Sequence, residues 1–525
     1  MNLHIGLFRN QPGWQTLLQQ EGVSFSIVDE EKISESNYSV IILNAKPTKR
    51  QKEVLTEYLN KGGAILSSTI FLEKIVALES RTRKIPYLQP EQNSIFYRNA
   101  LADIWSFGKI PDIANALTTT KHTFSSFIGS FSNGVIVCFP IDLGTLIERN
   151  EARRKFFYAE HSRFPAEQVS IVSKGEIRKL ISSSLEYLHH QRNIPYVHVW
   201  YFPDRERNSF AFRIDSDYGT EKEIFSLYKV LQNHNISATW FLDVKNHKNF
   251  LARFRGMEGQ ELSLHCHEHQ TFDTYSKNKR NIELARKKLI EANIMPKGFA
   301  SPFGLWNIGL QKTLDEFGFA YSSEFAFDYD NLPSFPLVGK HFASTLQIPI
   351  HPICIGSLRS ARMNEKQMIQ YFNKTFTQKL AWNEPLFFYD HPKDFRSEIW
   401  ATVFKKTQEE KIRCVTFSEF ASWWKRRSDA VNIFSSEKYV PTFEKGSIRF
   451  PSLEKDISFR ISPKEKMETI VSAHNAIQNI KLSSLHCSKA LECEIPENIS
   501  STRIFSPRLL NQRIRIFLRR KLKPS

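Results

Sequence analysis

Four short segments of this 525-residue chain gather side chains capable of chemistry. FRIDSDYGT, at 212–220, sets Asp215 and Asp217 two residues apart where an apolar run ends. Residues i and i+2 of a strand share a face roughly 6–7 Å apart. Two carboxylates so placed can divide the work, one binding a cation and the other handling a proton. LSLHCHEHQTF, at 262–272, holds three histidines, of which His265 and His269 are four apart. On a continuing strand those two would stand about 13 Å apart and could not share an ion. Within a turn their Cβ atoms come to about 6 Å, which suits a common metal. The strand is therefore expected to stop near His265. FASPFGLWN, at 299–307, brackets Phe303 between Pro302 and Gly304, the signature of a tight loop. Such a loop can turn a backbone N–H toward a developing oxyanion. PLFFYDHP, at 385–392, delivers Asp390 and His391 at the end of another apolar run, where a histidine can act as general acid. Singly, each segment also reads as ordinary loop chemistry. Together they read as one site.

The elements that must position these residues alternate. Apolar strand candidates fall at 210–214, 238–244, 261–265, 298–300, 319–322, 346–350, 385–389 and 414–417. Helical spacing lies between most of them; residues 221–233 carry Ile224, Leu227, Tyr228 and Leu231 on one face. Seven or eight βα units over 196–427 predict an irregular (β/α) barrel, whose active-site mouth lies at the C-terminal strand ends. Residues 1–195 show a second alternation, with strands at 3–8, 24–28, 40–43, 64–66 and 134–140 and a helix at 48–60 stopped by Gly62-Gly63. That order predicts a flavodoxin-like α/β domain with a parallel sheet. Residues 428–525 lose helical periodicity, and a small β-rich appendage is expected from runs at 447–450 and 457–461.

The order Asp pair, His cluster, Pro-Gly loop, His resembles the polysaccharide deacetylases, the NodB-homology or carbohydrate esterase family 4 group, over roughly 205–425. The resemblance implies a metal-dependent hydrolase that removes N- or O-acetyl groups from a carbohydrate. It implies Asp215 as catalytic base; Asp217, His265 and His269 as ligands of a divalent ion, zinc being expected; the Phe303 N–H at the oxyanion; and His391 as general acid. Pro302, Gly304 and Arg213 are then expected to face substrate. The chain departs from the family pattern where Ala300 replaces the arginine that steadies the base. Arg213, on the strand face of Asp215, is the available substitute. The family's Asp-Trp cluster is not evident, although Asp328 and Asp330 lie in its region. The N-terminal domain resembles the glutamine-amidotransferase-like domains, but Cys138 is its first cysteine and lies inside an apolar run. An inactive, structural or binding domain is therefore expected.

The apolar fraction of 41% and charged fraction of 24% describe a globular protein with ample core. Six cysteines form no CxxC pair, so free thiols in a reducing compartment are expected. No secretory signal or 18-residue apolar span is evident, which points to a cytoplasmic protein. The net charge of +17 bears on partners. From Arg503 to Ser525 there are eight Lys or Arg and no Asp or Glu, with Leu509, Leu510, Ile514, Phe517 and Leu518 able to form one stripe. A basic amphipathic helix over 505–525 is expected to touch the inner face of a membrane, where a deacetylase could meet lipid- or nucleotide-linked sugars of surface polysaccharide assembly. Nucleic acid is disfavoured, since no reading motif accompanies the basic run. Two other readings remain open: a glycan-binding or scaffolding protein on the same barrel, and a hydrolase of a non-sugar amide.

Overall fold

The computed structural model describes residues 1–484 except 92–93, 121–122, 160–163, 452–456, 465–467 and 474–477. The expected basic helix at 505–525 lies outside the described residues.

The N-terminal sheet is built on five parallel strands, Phe25–Ile27, Ile5–Leu7, Val40–Leu43, Ala64–Ser68 and Gly134–Phe139, adjacent in that order. This is the 2-1-3-4-5 order of doubly wound sheets. Val40–Leu43 is an unbroken buried run, as a strand covered on both faces must be. The helix Lys49–Asn60 begins with a capping box between Thr48 and Gln51. Where alternation with helices was expected to continue, Ser80–Leu88 pairs antiparallel with Ala102–Pro111 and Ala116–Thr118 with Phe124–Phe131, which extends the sheet antiparallel to Gly134–Phe139. Cys138 is fully buried, and burial pushes its thiol up to about 12. A thiol so held cannot serve as a nucleophile.

The second sheet is parallel and runs Leu346–Gln347, Tyr321–Ser322, Gly298–Phe299, Glu261–Cys266, Ala238–Asp243, Ser209–Asp215, Leu386–Asp390. Arg413–Cys414 pairs with the start of Ser209–Asp215. Side chains alternate across it. Phe212, Ile214, Trp240 and Phe388 point to the helices and pack with Ile224, Leu227, Trp400 and Phe404. Ala211, Phe241, Tyr321, Phe387 and Tyr389 point inward and pack with Phe417, Phe420 and Trp424 of the helix Phe417–Phe434.

The expected closed barrel of seven or eight units is corrected here. Among the described residues no strand pair joins Leu346–Gln347 to Leu386–Asp390. The His351 N–H donates to the Phe387 carbonyl at 2.9 Å across the gap, and the sheet remains an open, curved one. The three strands leading to the seam, Gly298–Phe299, Tyr321–Ser322 and Leu346–Gln347, are each two residues long, too short to carry a ladder around it. Phe417, expected to end a strand, begins the last helix instead, because Thr416 caps it with a Glu419 capping box. Beyond that helix the strand Ile457–Ser462 pairs antiparallel with Tyr196–Val199 and with Thr469–Ala473. The two halves are joined by buried polar contacts. The Arg427 guanidinium donates to the carbonyls of Gln19, Gln20, Val199 and Trp200, and Arg178 Nε donates to Asn331 Oδ1.

No helix among the described residues is long and apolar enough to cross a membrane. Cys138, Cys266, Cys354 and Cys414 are free thiols.

Candidate active site

Ser209–Asp215, buried along its whole length, carries Asp215 to the C-terminal edge of the sheet. The chain then turns, and Asp217 adopts φ +36°. The pleat therefore does not set the Asp215–Asp217 relation, as the i, i+2 spacing alone implied; a left-handed turn residue does. The short carboxylate side chain is among the few that tolerate this backbone region. Glu261–Cys266 ends one residue past His265 and bends, so His269 folds back and the two imidazole centroids stand 5.1 Å apart.

Asp217 Oδ1 lies 3.1 Å from His265 Nε2 and 3.0 Å from His269 Nε2. One donor atom from each of the three residues falls within 4.8 Å of the others. Burial opposes ionisation of Asp217, yet bonding to His265 and His269 and the charge of His391 hold its carboxyl well below the usual range. The arrangement fits a cation on the chemistry of its donors. His265 Nδ1 donates to the Ala300 carbonyl at 2.7 Å, which fixes the neutral tautomer and leaves the Nε2 lone pair facing Oδ1. Burial disfavours a charge on the His265 ring, yet the Asp217 carboxylate, 3.1 Å from Nε2, holds the imidazole above its ordinary value. A lone pair set against a carboxylate oxygen requires a proton or a metal ion between them, and two imidazoles plus a carboxylate is a set zinc accepts.

Asp215 is held from behind. Arg213 Nε and Nη2 donate to its two carboxylate oxygens, both at 2.7 Å, and Nη1 donates to the Ser323 carbonyl and hydroxyl. The guanidinium lies between the rings of Phe241 and Tyr389, 5.3 and 5.5 Å from their centroids. A bidentate pair of this kind fixes orientation as well as charge. Arg213 is 0% exposed, so the expectation that it faces substrate is corrected: it lies beneath the base. Ala300 has no side chain to reach Asp215, and its carbonyl serves His265 instead.

His391 stands on the other side, with Nε2 3.5 Å from Asp217 Oδ2. Burial disfavours its charge, but the Cys354 thiol and the Asp217 carboxylate push the imidazole well above its ordinary value. Phe303 adopts φ +60° and is exposed, and its ring meets that of His269 edge-on at 5.1 Å. Pro302 and Gly304 are buried and shape the loop without facing substrate, which corrects their expected role. Gly304 has φ +59°, and a Cβ there would lie 2.4 Å from the Phe325 ring. Asp328 and Asp330 do not join the site. Asp328 accepts from Asn331 Nδ2, and Asp330 pairs with His351 and Lys379 at the sheet's seam.

Three contributors escaped the sequence reading. Tyr218, beside Asp217, is exposed with its ring 5.1 Å from that of His269. Glu324, buried beneath the Pro-Gly loop, accepts from the Ser301 N–H, and burial raises its carboxyl to about 7. Cys354 approaches His391 from a loop 37 residues upstream. An aromatic next to a candidate ligand could have pointed to Tyr218; nothing in the sequence marks the other two.

The polysaccharide deacetylase family model matches residues 205–322, which takes in the Asp pair, the His cluster and the Pro-Gly loop and stops short of His391. No curated protein matches the chain. Among solved structures, a Mycobacterium smegmatis protein assigned as a polysaccharide deacetylase is 15% identical, covering 44% of this chain and 94% of its own, with a TM-score of 0.37. The PuuE allantoinase is 14% identical, covering 43% and 93%, with a TM-score of 0.36. BA3943 of Bacillus anthracis, a family 4 carbohydrate esterase pseudoenzyme, is 14% identical, covering 52% and 90%, with a TM-score of 0.31.

Proposed function

We propose that this chain is a metal-dependent hydrolase that removes acetyl groups from a carbohydrate. The observation that carries the reading is the convergence of Asp217, His265 and His269 on one point, with a clamped carboxylate and a histidine beside them. A divalent ion held by Asp217, His265 and His269, zinc fitting the donor set, supplies Lewis acidity and makes a nearby water acidic at neutral pH. Asp215, oriented by Arg213, accepts the proton of the attacking water. The Phe303 N–H, turned outward by the left-handed backbone, donates to the oxyanion. His391 protonates the leaving amine or alkoxide. The exposed rings of Tyr218 and Phe303, on two sides of His269, offer apolar faces to a sugar ring.

Apo protein reconstituted with zinc should release acetate from N-acetylated oligosaccharides, and a chelator should abolish release. Asp215→Asn should keep the metal and lose roughly 10²–10⁴-fold in rate, the usual worth of a positioned base. Full activity in that variant would remove Asp215 from the role.

A non-catalytic glycan-binding protein is the second reading, favoured by Ala300. The Arg213–Asp215 pair weighs against it, because it restores the clamp that Ala300 lacks. We further propose that a cytoplasmic protein of this kind acts on lipid- or nucleotide-linked sugars in surface polysaccharide assembly, with residues 505–525 touching the membrane. Liposome sedimentation with and without those residues tests the contact.

A further inference from the structure

A second cluster shares His391 with the site and adds two groups, Cys354 and Asp390, that the reaction above does not use. A donor atom from each of Cys354, Asp390 and His391 falls within 4.8 Å of the others. Asp390 is fully buried; its Oδ2 accepts from Trp400 Nε1 at 2.6 Å, while its Oδ1 makes no hydrogen bond among the described residues. His391 Nδ1 is also buried without a hydrogen bond among them, with the Cys354 thiol, itself 3.6 Å from the Ser357 hydroxyl, as its neighbour. Leaving one such group unmatched is unfavourable, since it loses its water and gains nothing. Two of them side by side, next to a thiol, make a site with its donors assembled. Thiolate, imidazole and carboxylate form a softer set than the carboxylate and two imidazoles of Asp217, His265 and His269, and three protein donors suit a tetrahedral ion with one open position.

We propose that Cys354, Asp390 and His391 form a second metal site, selective for thiophilic divalent ions such as zinc and cadmium, and that filling it inhibits the enzyme by engaging His391. Binding sends the Cys354 thiol proton, and any proton on His391, to solvent. The ion gains three coordinate bonds, and the ring, held as a neutral ligand through Nδ1, can no longer be the imidazolium that gives its Nε2 proton to the leaving group. The inhibitory half rests on the deacetylase reading; the binding half does not.

The full chain, stripped with chelator and titrated with cadmium, tests both halves. Equilibrium dialysis counts bound ion while the ultraviolet thiolate-to-cadmium absorption band is followed. The wild type should take up two equivalents, one of them with the band. Cys354→Ser should take up one and lose the band. His269→Ala should keep the band and lose the other equivalent. Asp390→Asn should weaken the banded equivalent tenfold or more, so that the result does not depend on one variant's folding. A band of undiminished size in Cys354→Ser, or a single equivalent in the wild type, overturns the site. For inhibition, acetate release should fall at least tenfold once zinc exceeds one equivalent in the wild type and hold steady in Cys354→Ser. An equal fall in both overturns the inhibitory half. Absence of acetate release at every zinc level sinks the deacetylase reading, and the cadmium titration then decides the metal site by itself.

Discussion

Two parallel sheets in this chain end in opposite ways. At the C-terminal edge of the N-terminal sheet, Asn44 bonds the backbone of Arg9 twice, accepting from its N–H and donating to its carbonyl. Its amide also reaches Gln11, and Gln11 and Trp14 both donate to Asp142. Around Asn44, Gln11, Trp14 and Asp142 the polar groups find one another within the protein, and of this edge only the Ser68 hydroxyl is buried without a hydrogen bond among the described residues. At the same edge of the second sheet, Asp217, His265 and His269 converge on one point, and the nearby Asp390 Oδ1 and His391 Nδ1 make no hydrogen bond among the described residues. Buried polar groups in folded proteins are nearly always satisfied. A satisfied edge holds the fold together. An unsatisfied one is completed by something the chain does not contain.

Substitutions at the two edges should have different consequences. The largest effect is expected at the triad. Asp217→Asn or His265→Ala should weaken zinc by more than the 10–100-fold typical of losing an orienting partner, and equilibrium dialysis measures it. Retention of tight zinc would place the ion elsewhere. Next is Arg213→Leu, which strands a buried Asp215 carboxylate. It should cost on the order of 3–5 kcal/mol in denaturant unfolding and slow acetate release with zinc still bound. An unchanged rate in the folded variant would show that the clamp is not needed.

The matched edge should respond differently. Asn44→Ala should cost about 1–3 kcal/mol of stability and leave zinc affinity and rate unchanged. A change in zinc affinity would mean that the two edges communicate. The smallest effect is a pH slope. Glu324 titrates at about 7 when folded against 4.5 as its ordinary value, because burial disfavours the carboxylate. The folded state then holds a proton that the unfolded state has released, so stability falls as pH rises between those values. The slope from this group is at most about 1.4 kcal/mol per pH unit. Asp328, raised to about 6 by burial, acts with the same sign. Glu324→Gln should flatten the curve, measured as unfolding free energy from pH 4 to 8; an unchanged slope would assign the dependence to other groups.

Much of this was legible in the sequence because period and spacing are local. The strand endings at Asp215 and His265 follow from apolar runs meeting polar residues, and the four-residue gap between the histidines demanded a bend. The loop at Pro302-Phe303-Gly304 was readable as a turn, though not which of its residues would be buried. The role of Arg213 was half legible: the spacing set it on the face of Asp215, but only burial between Phe241 and Tyr389 shows that it serves the base and cannot reach substrate. The open seam was not legible. Closure depends on whether distant strands are long enough to pair, and the apolar runs at 298–300, 319–322 and 346–350 shortened to two-residue strands.

The sequence by itself determined which donors exist and in what order they arrive at strand ends, because side-chain chemistry and local periodicity are written residue by residue. The tertiary structure alone decided which donors remain unmatched. Whether a buried nitrogen or oxygen finds a partner depends on contacts between segments far apart in the chain: Ala300 against His265, Arg213 against Ser323, Cys354 beside His391. Those contacts separate a stabilising network from a site that still calls for an ion.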